Sequence, residues 1–79
     1  MSDKDRELSG LHLLLRDLEK GPSPEKAADT LSRMTRLYPG NGTQLRGLIA
    51  EAMKKHGPID LQGVVERYGD KFAILLPAI

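Results

Sequence analysis

The chain has 79 residues, no cysteine, no tryptophan and a formal net charge of +1. That length allows one domain, and folding at this size hides only about 60–65 % of the surface of the unfolded chain, so the core is small and docking or dimerising adds much to its stability. Missing thiols remove disulfides, thiolate nucleophiles and cysteine-ligated zinc, and no apolar stretch approaches the ~20 residues that cross a bilayer.

Proline and glycine divide the sequence into intervals that each carry helical apolar spacing. The first helix is expected from about Asp3 to Lys20. Its residues Leu8, Leu11, Leu15 and Leu18 recur at three- and four-residue steps, with Leu14 beside them. Leu13 projects toward the opposite side, near Gly10 and Asp17, which makes it either exposed or covered by a different surface. Gly21-Pro22 ends the helix, since glycine supplies a left-handed cap and proline cannot continue the turn.

Ser23-Pro24-Glu25 reads as a second helix start, with Ser23 as N-cap, Pro24 in the first turn and an acidic residue beside it. Ala27, Leu31, Met34 and Tyr38 form its inward stripe, while Asp29, Ser32, Arg33 and Arg36 face out. After the turn Pro39-Gly40-Asn41-Gly42, Thr43 is the expected N-cap of a third helix. Leu45, Leu48, Ile49, Ala52 and Met53 follow an unbroken amphipathic pattern there. On its outer side Gly47 and Ala50 make a small-residue patch that would let another backbone approach closely.

Gly57-Pro58 closes the third helix, and Asp60 caps a short fourth one lined by Leu61, Val64, Val65 and Tyr68. Gly69 ends it, and Asp70 opens a final turn or turns through Phe72 to Leu76. Phe72 to Ile79 carries no charged or polar side chain. A terminus frays unless something ties it down, so Phe72, Ile74, Leu75, Leu76 and Ile79 either complete the core or enter a partner's surface. The expected fold is a single all-α domain over residues 1–79, a bundle of four or five short helices.

Charge is unevenly spread. Residues 1–30 hold five Lys/Arg against seven Asp/Glu, residues 31–58 hold five against Glu51 alone, and residues 59–79 hold two against three. The basic middle can attract phosphate or an acidic protein surface. The helix pair 23–56, joined by a glycine-containing turn, has the outline of a helix-turn-helix. In that reading Gln44, Arg46, Glu51, Lys54 and Lys55 face a major groove, and Arg33 and Arg36 meet phosphates. An antiparallel structural hairpin has the same sequence pattern, Glu51 is the wrong charge for a reading face, and aromatic residues for stacking are nearly absent.

No catalytic signature, metal spacing or cofactor fingerprint is present, and no family is recognisable. His12 and His56 lie in different helices without carboxylates at ligand spacing, and His56 sits where a helix C-terminus favours a cation. The turn before Thr43 offers backbone N–H groups, but it lacks the Gly-Lys-Ser/Thr and the preceding strand of a phosphate-binding loop. The sequence therefore leads to a small non-enzymatic interaction module of the cytoplasm, a regulator or inhibitor of a larger protein or a homodimer. A nucleic-acid binder is the alternative. The charged residues 1–10 are not expected to form a secretory signal. Candidate contact residues are Leu13, Arg33, Arg36, Gln44, Arg46, Gly47, Lys54, Lys55, Phe72, Leu75 and Leu76.

Overall fold

The leucines at three- and four-residue steps wind onto one face of α1 (Asp3–Glu19), and Leu8, Leu11, Leu15 and Leu18 are all buried. The computed structural model describes residues 2–40 and 42–76; Asn41 of the second turn and Pro77 to Ile79 of the tail lie outside them. Ser2 caps α1 by accepting the Asp5 backbone N–H at 3.2 Å. Around α1 are α2 (Pro24–Leu37), α3 (Thr43–His56), the short α4 (Leu61–Tyr68) and a 3₁₀ segment, Asp70–Leu75. The described residues contain no strand, so the protein is an all-α domain of four α-helices and one 3₁₀ turn.

The caps follow the local chemistry. Ser23 Oγ accepts the Lys26 N–H at 3.3 Å, and Asp60 Oδ1 accepts the Gly63 N–H at 3.0 Å. Each satisfies one of the backbone donors that a helix start leaves free. Thr43, expected as the cap of α3, is instead its first helical residue, and Gly42 takes the cap position at φ 87° without a side-chain hydrogen bond. Gly42 also lies against the tail. A Cβ on Gly42 would stand 2.6 Å from Cγ1 of Ile74, so the chain turns here on a residue that has neither a side chain nor a penalty for positive φ.

α1 packs against α2, α3 and α4, while α3 and α4 both receive the 3₁₀ segment. One continuous core results, in which Leu15, Leu18, Met34, Leu45, Ile49, Phe72 and Leu75 are the largest fully enclosed side chains. Full burial of such a side chain is worth about 1.5–3 kcal/mol. Phe72 packs its ring against Tyr68 with centroids 5.4 Å apart, and the Tyr68 hydroxyl donates to the Pro22 carbonyl, joining the α1–α2 connection to the end of α4. The α3 stripe is narrower than its pattern suggested. Leu45, Ile49 and Ala52 are buried, whereas Leu48 and Met53, at the two edges of the stripe, are half-buried.

Over its described residues, 72–76, the apolar tail thus packs into the core. Phe72 and Leu75 are enclosed by their own domain and leave no surface for a partner; Leu76 is half-buried against the same cluster.

Candidate interaction surface

α1 and α2 meet along their buried stripes, but the flanks beside those stripes diverge. On α1 that flank carries Arg6, Glu7, Gly10 and Leu14, and on α2 it carries Arg33, Leu37 and Tyr38. Together with Leu11 at the floor they bound an open groove of about 320 Å³. Its size lies at the lower end of the ~300–1,000 Å³ common among ligand clefts. Two features keep it open. Gly10 has no side chain, and a Cβ built there would meet nothing within 4 Å. Leu37, in the last turn of α2, remains 62 % exposed instead of folding inward.

The rim is polar in a specific way. The Tyr38 hydroxyl donates to Glu7 Oε1 at 2.7 Å, which ties the end of α2 to the first half of α1. Burial, joined by the Glu7 carboxylate that stabilises the protonated phenol, raises the Tyr38 pKa to about 12. Glu7 is thereby committed to the fold. Arg6 and Arg33 are both exposed, and neither guanidinium has a hydrogen-bond or ion-pair partner among the described residues. The groove accordingly has an apolar floor, one occupied carboxylate and two free cations. Such an arrangement can bind by burying apolar side chains and by pairing with anions.

Of the residues singled out in the sequence, Arg33 lines this groove, and Leu13 stands on the outer side of α1 next to it by helical spacing, 56 % exposed. Arg36 is exposed on α2 without lining the groove. Gln44, Gly47 and Lys54 are exposed on the outer face of α3, and a Cβ on Gly47 would meet nothing within 4 Å. They lie apart from the groove.

The basic stripe is divided by the fold. Arg46, expected at an exposed or flanking position, is half-buried and its Nε donates to the Ile74 carbonyl at 3.0 Å, so it anchors the tail. Lys55 is paired with Asp5, and Glu51 with Lys4 at 3.2 Å, so the start of α1 supplies partners to α3. Lys55 holds the Asp5 carboxyl below the usual carboxylate range, with the Ser2 hydrogen bond adding to the effect.

The histidines serve the structure. His12 is buried and its Nε2–H donates to the Gly57 carbonyl at 3.0 Å, closing the end of α3; the exposed His56 ring lies 5.4 Å from it, centroid to centroid. No group of three or more His, Asp, Glu or Cys side chains placed to hold a metal occurs among the described residues. No described helix is long and apolar enough to cross a membrane.

Sequence reasoning missed Leu37, Gly10, Arg6 and the Tyr38–Glu7 bond. The available signal was the flank of α2, where Lys26, Thr30, Arg33 and Leu37 share one side at four- and three-residue steps. Compared with known proteins, the chain matches no family model, no curated protein and no solved structure.

Proposed function

We propose that the chain is a small, non-enzymatic, cytoplasmic protein-binding module, a regulator or inhibitor of a larger partner, and that the α1/α2 groove is the surface it uses. The observation that carries this reading is Leu37. A domain with so few core side chains leaves this one 62 % exposed at the edge of an open apolar groove. Single exposed leucines are ordinary, but a leucine joined to a groove that the fold keeps empty is the pattern of a docking site.

The nucleic-acid reading has weaker support. Of the five basic residues it would use, Arg46 is spent on the tail, Lys55 on Asp5, and the outer face of α3 also carries the Lys4–Glu51 pair. Exposed Arg33, Arg36 and Lys54 remain for phosphates.

The test uses Gly10→Leu, which fills the groove at a position with open space and replaces a poor helix former with a good one. Wild type and variant serve as bait in extracts of the native host, with and without nuclease. A protein that wild type retains after nuclease and Gly10→Leu loses is the expected result. Retention that disappears with nuclease would shift the reading to nucleic acid, and equal retention by both baits would remove the groove from the function.

A further inference from the structure

Resting on the groove reading above, we infer that the occupant is an acidic amphipathic helix of a separate protein, apolar along one stripe and carrying carboxylates on both sides of it. Three observations select this occupant. The groove runs between two helices, and no strand is present among the described residues to offer an edge for an extended peptide, so the geometry is that of a helix laid into a helical cleft. Its floor, Leu11 and Leu14 with Leu37 at the lip, calls for apolar side chains one helical turn apart. Its two walls each present a free guanidinium, Arg6 from α1 and Arg33 from α2, while the Glu7 carboxylate of the same groove accepts the Tyr38 hydroxyl.

A second copy of the chain fits less well. A two-fold dimer faces the same patch with itself, which would set the Arg6 and Arg33 of one chain against those of the other. Like charges brought together in an interface oppose association. An acidic helix meets the same rim with pairs in place of repulsion, and arginine forks suit carboxylates through paired hydrogen bonds.

A phage-displayed library of short helix-forming peptides, selected on the full chain and counter-selected on the Leu37→Glu chain, tests this. Leu37 is exposed, so the variant keeps its fold, and circular dichroism melting checks that it does. The expected winners carry two apolar residues four positions apart and a net negative charge. A synthesised winner should lose roughly tenfold or more in affinity to the Arg6→Glu/Arg33→Glu chain, and replacing its acidic residues with lysine should recover part of that loss. Leu37-dependent winners that are neutral or basic would overturn the acidic occupant while leaving the groove as a docking site. Absence of any Leu37-dependent enrichment would overturn both. A concentration-dependent dimer in sedimentation that Leu37→Glu dissolves would give the groove to a second copy, and the inference would fail.

Discussion

The C-terminal 3₁₀ segment and the α1/α2 seam differ in a direction opposite to what their sequences suggest. The segment belongs to the most apolar stretch of the chain, and its large side chains Phe72 and Leu75 end fully enclosed. The seam is built from a mixed sequence of arginines, glutamate, glycine and scattered leucines, yet it holds the open apolar surface. A continuous apolar run in a small domain is consumed by the domain, because the entropy of ordering the chain leaves little stability to spare. Surface for a partner comes from apolar residues one step off the buried stripe, where the core cannot reach them.

The largest expected effect tests the enclosed side of that contrast. Phe72→Ala should cost about 3–5 kcal/mol and Leu75→Ala about 2–5 kcal/mol, against a total stability of about 4–12 kcal/mol for a chain of this length. Leu37→Ser should change stability by no more than about 0.5 kcal/mol. Urea unfolding of the three variants decides it, and a Leu37 variant as damaged as the Leu75 one would break the comparison.

Next in size is Gly42→Ala. Its positive φ and the contact with Ile74 should together cost about 1–3 kcal/mol, and urea midpoints would read it. A neutral result would mean that Ile74 is free to move aside and that the tail is held less firmly than its burial implies. Gly10→Ala sharpens the open side. With nothing in the way, it should stabilise by up to about 1 kcal/mol through helix propensity alone. A loss of stability would mean that the groove wall is already in contact with something.

A further effect, seen only at alkaline pH, concerns the bond between Tyr38 and Glu7. Tyr38 has its pKa raised from 10.0 to about 12 in the folded protein. A raised folded-state pKa means that the folded form holds the proton more tightly than the unfolded one. The resulting stabilisation is fully present below pH 10 and is lost as pH rises toward 12. Alkaline titration of tyrosinate absorbance should show Tyr38 ionising late, and Glu7→Gln should bring that ionisation to lower pH.

Helix positions, the caps Ser23 and Asp60, and the buried leucines of α1 were legible in the sequence, because spacing and cap chemistry are local. What was not legible depended on which flanks meet. Thr43 has the right chemistry for a cap, yet the cap falls one residue earlier, on Gly42, where Ile74 leaves no room for a side chain. Arg46 has the spacing of a reading-face cation, and only the position of the Ile74 carbonyl turns it into an anchor. Tyr38 was read as an inward residue; it is half-buried, and its hydroxyl reaches a glutamate 31 positions earlier, a partner that no local pattern indicates. Leu37 looked unremarkable beside the α2 stripe, and its exposure becomes informative only once Gly10 is known to lie across from it.

The anchoring of Ile74 by Arg46 has a consequence for how the protein is made. All four α-helices precede the 3₁₀ segment in the sequence, so a chain cut short of Phe72 holds the helices but lacks Phe72 and Leu75. In such a chain the faces of α3 and α4 that receive the segment stand uncovered. Locking depends on contacts made late: the Arg46 side chain must wait 28 residues of synthesis for its carbonyl. Free chains truncated short of Phe72 should therefore remain digestible by protease, and extending them through Leu76 should convert them to a resistant form.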